Sequence, residues 1–228
     1  MSSMSRRRSL CGFGVLALLG LAGTATASTD FEGKLKPTDF VALFSGLNGE
    51  LEQQLVAAGV PRGFVYEGVA DLLFIDGRTP PDASVRPAID AVLGRGGTVV
   101  VWGVSAKTLP QLNTLLPAQL ELTGRQSSSL LLVAPSPLTA GLTPSDLNFT
   151  ESSPSTILEA GLSGSLVKQG TVLLEAKGSG AAIFEVRQGS GRLFVLNLPA
   201  WSPVHKVQRL DRRLLENLGV NLNPPSGG

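Results

Sequence analysis

One cysteine, Cys11, and one histidine, His205, are all the thiol and imidazole chemistry that this chain of 228 residues carries. A single thiol closes no internal disulfide, and one imidazole among scattered carboxylates supplies no metal-ligand cluster. No metal is therefore expected. Charged residues are also sparse at 16%, and the only basic run is Arg6-Arg7-Arg8. Without a basic patch elsewhere there is no electrostatic footprint for nucleic acid or for an anionic membrane surface. Aromatic residues make up 5% of the chain, with two tryptophans, Trp102 and Trp201. Neither a Walker loop nor a three-glycine dinucleotide pattern occurs, so no cofactor is expected. Gly46-Leu47-Asn48-Gly49 before a helical stretch could cradle an anion, but a plain strand-to-helix turn is the simpler reading.

What is present begins with a secretory pattern. Three arginines precede an apolar run from Leu10 to Ala22, and small residues end in Ala25-Thr26-Ala27. The run is shorter than the ~20 residues needed to span a bilayer. We expect a signal peptide over 1–27, with cleavage after Ala27, export to a periplasmic or extracellular location, and no membrane anchor afterwards. Arg7-Arg8 also fits a twin-arginine signal loosely, so the route stays open. Removing Arg6, Arg7 and Arg8 from 19 basic and 18 acidic residues leaves 16 against 18, a net charge near −2. It also removes Cys11.

Residues 28–38 are polar and read as an extended segment, followed by an α/β domain over 39–220 and a loose tail over 221–228. Phe40 to Phe44 reads as a buried strand and Glu50 to Ala58 as a helix with Leu51, Leu55 and Val56 on one side. A short strand at Gly63 to Tyr66 and a stronger one at Leu72 to Ile75 follow, the latter closed by Asp76-Gly77. Val85, Ile89, Val92 and Leu93 lie at helical spacing, and Gly94 to Gly97 ends that helix before the strand Thr98 to Trp102. A helix through Leu109, Leu112, Leu115 and Leu116 and an apolar strand at Leu130 to Val133 come after these elements. Strands alternating with helices imply a parallel sheet covered on both faces.

The character then changes. Pro135 to Ser155, rich in Pro, Ser and Thr, reads as a long surface excursion. Three β-like runs, Thr171 to Ala176, Ala181 to Val186 and Arg192 to Leu198, are too closely spaced for crossover helices and should be antiparallel neighbours. A last helix, Lys206 to Leu218, carries Val207, Leu210, Leu214, Leu215 and Leu218 on its buried face.

The stretches ADLLFIDGR, ending at Arg78, and GGTVVVWGVSAKTLPQLNTLLP, from Gly96, resemble the class I glutamine-amidotransferase-like fold. LELTGRQSSSLLLVAPSPLTAGLTPSDLNF, from Leu120, and LVKQGTVLLEA, ending at Ala176, resemble an accessory domain of that fold in bacterial glycoside hydrolases of the β-galactosidase type, family 2. The resemblance implies a three-layer, flavodoxin-like, mostly parallel sheet with helices on both faces and an antiparallel extension near the C-terminus. Active members carry Gly-x-Cys-x-Gly at a sharp turn and a late His-Pro-Glu. In the corresponding stretches this chain has Gly103-Val104-Ser105-Ala106-Lys107 and Asn197-Leu198-Pro199-Ala200. The resemblance thus implies that Ser105 replaces the nucleophile, Leu198 the histidine and Ala200 the glutamate.

Three functional readings follow. The first is a non-catalytic exported module that binds carbohydrate or a glycoside-processing protein. Its ligand site would lie at the strand-end loops, with Ser45, Asn48, Asp76, Arg78, Trp102, Ser105, Asn197 and Trp201 as candidates, because open α/β sheets bind ligands at the carboxyl ends of their strands. The two tryptophans could stack on a sugar ring or simply pack against the sheet end. The second is a serine hydrolase of Ser105, His205 and Asp76, which requires the base within hydrogen-bond reach of the nucleophile. The third is a structural domain that assembles with a partner chain through an exposed apolar patch. Asp82 and Asp90 read as turn and surface residues.

Overall fold

The computed structural model describes residues 41–46, 49–60, 70–152, 156–199, 202 and 204–222. All lie in the unit Phe31–Gly228. The expected signal peptide, the extended segment 28–38, the strand at Gly63–Tyr66, Asn48, Ala200, Trp201 and the tail from Asn223 lie outside the described residues.

The strand β1 (Val41–Phe44), the helix α1 (Leu51–Ala57) and the strand β2 (Leu72–Asp76) open the domain. A short 3-10 turn, Ala83–Val85, leads into α2 (Arg86–Gly94), with Pro87 in its first turn where a missing N–H costs nothing. Then come β3 (Thr98–Trp102) and α3 (Leu109–Leu115). Here β-branched and apolar runs make strands, and helices form where apolar residues recur every three or four positions. The segment that follows holds β4 (Glu121–Thr123), β5 (Leu130–Leu132), β6 (Gly161–Ser163) and a four-residue helix α4 (Ser165–Lys168). The chain closes with β7 (Thr171–Ala176), β8 (Gly180–Gln188), β9 (Gly191–Leu196) and α5 (His205–Asn217).

The nine strands form one mixed sheet in the order β1-β2-β3-β9-β8-β6-β4, with β7 paired to β8 and β5 paired to β7. The pairs β1–β2, β2–β3 and β3–β9 are parallel. The pairs β7–β8 and β8–β9 are antiparallel, as the close spacing of those runs requires. β9 therefore has two roles, closing the antiparallel hairpin with β8 and completing the parallel block beside β3.

Side chains along the parallel strands alternate between two apolar cores. Phe74, Val100, Trp102, Phe194 and Leu196 meet α1 and α5 through Leu51, Leu55, Val207, Leu210 and Leu214. Leu73, Ile75, Val99, Val101 and Val195 meet α2 and α3 through Ile89, Val92, Leu112 and Leu115. Each such side chain withdrawn from water stabilises the fold by about 1.5–3 kcal/mol before entropy is counted. The excursion at 135–155 is less superficial than its composition implies. Leu138, Leu147 and Phe149 from it are buried in the core on the α1/α5 side, so its prolines and serines make turns while these three anchor it.

Candidate functional site

The carboxyl ends of β2, β3 and β9 lie side by side, and the residues after them build a crest. Its centre is held by Asp76, 1% exposed. This carboxylate accepts from Arg78 N at 2.9 Å, Thr79 N at 3.1 Å, Thr79 Oγ1 at 2.7 Å, Ser45 Oγ at 3.3 Å and Leu51 N at 3.4 Å. Asp76 therefore ties the turn after β2 to the loop after β1 and to the start of α1, the usual use of an aspartate beside a turn. Ser45 belongs to the same clasp through its contact with Thr79 Oγ1 at 3.2 Å.

Beside the clasp the backbones of β2 and β3 nearly touch. Gly77 N donates to Trp102 O at 2.9 Å, and a Cβ on Gly77 would sit 1.7 Å from Gly103 O. Gly103 itself has φ +71°, a conformation that favours glycine. The Arg78 side chain lies over it, with Cγ 3.2 Å from where a Gly103 Cβ would be. The Arg78 head group is exposed and forms no hydrogen bond or ion pair among the described residues.

Ser105 stands on the turn between β3 and α3. The sheet places β3 between β2 and β9, so this turn is at the centre of the crest. Ser105 Oγ lies 2.7 Å from Thr108 Oγ1. The one hydroxyl proton of Thr108 is taken by Gly77 O at 2.7 Å, so the proton between the two hydroxyls is that of Ser105. The serine thus donates to a threonine, not to a base. Asn197, after β9, is equally committed: its Oδ1 accepts from Val104 N at 3.1 Å and its Nδ2 donates to Ala160 O at 2.8 Å.

Over this crest opens a cleft of about 500 Å³, a size suited to a small ligand. Arg78, Ser105 and Asn197 line it, together with Leu198. The opposite wall comes from residues that the sequence did not single out, chiefly Gln126, Thr156 and Glu159. That wall is joined by Ser127 N donating to Leu158 O at 2.9 Å and Ile157 N donating to Ser127 O at 2.8 Å. Glu159 is exposed and, like Arg78, has no ion-pair partner among the described residues.

Several candidates are corrected by this geometry. Trp102 offers no stacking face, being 0% exposed, with its ring tilted against Phe74 at a centroid distance of 6.3 Å. A central strand of a sheet covered on both sides has no solvent-facing register. Ser45 and Asp76 spend their polar atoms on the clasp, and Asn197 spends its own on the crest. The triad is not assembled: Ser105 bonds to Thr108, Asp76 accepts from no imidazole, and His205 is exposed in a different cleft of about 560 Å³ between α1 and α5. Asp82 caps the 3-10 turn through Ser84 N at 2.9 Å, which lowers its pKa, and Asp90 pairs with Arg86 at 2.9 Å. Among the described residues no group of three or more His, Cys, Asp or Glu side chains could hold a metal ion.

The α1/α5 cleft contains one further anomaly. Gln54 Nε2 donates to Asp211 Oδ2 at 3.1 Å, yet Gln54 Oε1 and Asp211 Oδ1, both buried, have no partner among the described residues. Burial pushes the Asp211 carboxyl well above the usual carboxylate range, an effect only partly opposed by the Gln54 amide.

No protein-family model matches the chain. No curated protein matches it in sequence. Among solved structures it is similar to the cold-adapted β-galactosidase from Rahnella sp. R3, at TM-score 0.50 and 14% identity over 83% of this chain and 33% of that one. It is likewise similar to the β-galactosidase from Bacillus circulans sp. alkalophilus, at TM-score 0.50 and 13% identity over 81% of this chain and 32% of that one. A putative GMP synthase protein from Thermoplasma acidophilum aligns at TM-score 0.47 and 12% identity over 82% of this chain and 94% of that one. The chain spans about a third of the length of the two β-galactosidases. At these identities the likeness is one of fold.

Proposed function

We propose that the chain is an exported, non-catalytic binding module with a flavodoxin-like, glutamine-amidotransferase-like fold, serving carbohydrate breakdown. Its ligand occupies the cleft above β2, β3 and β9. One observation carries the reading: Ser105 stands at the crest where a nucleophile would act, but its proton is directed to Thr108 and no base among the described residues reaches it. The buried aliphatic side chain of Leu198 lines the same cleft, at the position that the family resemblance gives to the histidine. The carbohydrate setting is supported by the β-galactosidase neighbours, although a shared fold does not by itself transfer a function.

Two measurements test this. Chain expressed from Met1 in a secreting host is expected outside the cytoplasm with Ser28 as its first residue, read by intact-mass spectrometry. The processed protein is expected to bind oligosaccharide in calorimetry and to show no ester or glycoside hydrolysis. Turnover that disappears in Ser105→Ala would overturn the non-catalytic reading.

A further inference from the structure

We infer that the crest cleft selects an acidic sugar, a uronate-bearing oligosaccharide whose carboxylate is held by Arg78; this rests on the binding-module reading above. Arg78 is fixed at its base and free at its head. Its N–H is bonded to Asp76 Oδ1 at 2.9 Å and its stem is laid over Gly103, while the guanidinium has no counter-charge among the described residues. A planar fork held in this way matches a carboxylate through two parallel hydrogen bonds. Because the stem already rests against Gly103, less side-chain freedom remains to be lost when the anion binds.

The opposite wall specifies the rest of the ligand. Glu159 lines the same cleft and does not pair with Arg78, so the site holds one positive and one negative charge apart. A carboxylate alone would satisfy only the arginine. A sugar acid satisfies both walls, because its hydroxyls can donate to Glu159 and to the Gln126 amide oxygen. The Ser105 oxygen, which donates to Thr108 Oγ1 and accepts from Thr108 N at 3.3 Å, keeps one lone pair for a hydroxyl donor. A multiply charged anion fits less well, since Glu159 repels it. A neutral sugar would leave Arg78 unsatisfied, and the described lining residues include no aromatic ring on which it could stack. Selectivity must then come from charge.

The test is calorimetry of the processed protein with aldotriouronic acid, a xylobiose bearing a single glucuronate, and with xylotriose, a neutral sugar of equal length. The singly charged aldotriouronic acid is expected to bind at least about tenfold more tightly, and more weakly as salt is raised. Arg78→Ala, checked for folding by circular dichroism, is expected to lose that preference. Lys107→Ala removes an exposed cation beside the cleft that does not line it, and should retain affinity within about twofold. If both sugars bind equally and Arg78→Ala changes neither, the acidic-sugar inference fails while the binding module stands. If Lys107→Ala loses as much affinity as Arg78→Ala, the attraction is diffuse and the inference fails. If neither sugar binds, the binding-module reading fails with it.

Discussion

A methyl group added at Gly77 would meet the Gly103 carbonyl oxygen at 1.7 Å, and a backbone atom in a central pair of strands has nowhere to move. Gly77→Ala is expected to cost about 3 kcal/mol or more, measured as a lower urea midpoint with unchanged slope. Asp76 is similarly constrained. Asp76→Ala removes the shared acceptor of five donors at once and should destabilise by about 3–4 kcal/mol, whereas Ser105→Ala should stay within about 1 kcal/mol. Equal effects would show that the clasp does not hold the crest. The same residues show what was legible. An acid directly after a strand followed by Gly reads as a site residue or as a turn residue, and only the donors around it decide; here they are two turn N–H groups, two hydroxyls and a helix start. Arg78 and Ser105 were recognisable because strand ends converge in this fold class. Gln126 and Glu159 were not, because the Ser127–Leu158 bridge that brings their segments together joins positions with no local pattern.

The packing of α5 on α1 turns on one polar pair. The α5 helix buries Val207, Leu210, Leu214 and Leu215 as its spacing requires, but Asp211 lies on that face too, four residues after Val207. An acid within the apolar stripe was visible in the sequence; its partner Gln54, on a helix far away in the chain, was not. Protonation turns Asp211 Oδ1 into a donor, and Gln54 Oε1 is the acceptor of the pair that otherwise has none among the described residues. Below the ordinary carboxyl range the group is neutral in both folded and unfolded chains and has no effect on stability. As pH rises through that range the unfolded chain loses the proton first, so this group lowers stability progressively until the raised folded-state value is reached. Asp211→Asn keeps the amide pairing without the ionisation. It is expected to be more stable than the wild type at pH 7 by on the order of 1–3 kcal/mol, the gap closing as pH falls towards 4. Chemical denaturation at several pH values checks this, and a gap independent of pH would refute the protonated pair.

At the scale of the whole molecule, the strands and helices of the parallel block were readable because each announces itself by local periodicity. Strand order was not, since β9 reaches its place beside β3 only through pairing across about ninety residues. β4 and β6, three residues each, are too short to show a period. The far end of the sheet exposes a consequence of that topology. Among the described strands β5 pairs only with β7, and Leu131, Leu132 and Val133 are 48%, 50% and 52% exposed. Val133 N donates inward to Leu173 O, so by the alternation of an antiparallel ladder the N–H and C=O of Leu132 point away from β7. Edge strands are ordinarily blunted by a charge or a proline, and none lies between Leu130 and Ala134. This edge is therefore where the folded chain is expected to self-associate at high concentration or on heating. Leu132→Lys sets a charge at its centre without touching the core. It should leave the melting temperature within about 2 °C, because surface changes of this kind shift stability by about 0.5 kcal/mol or less. Light scattering of the variant should begin at a higher concentration than that of the wild type, whereas identical onset curves would place the association elsewhere on the surface.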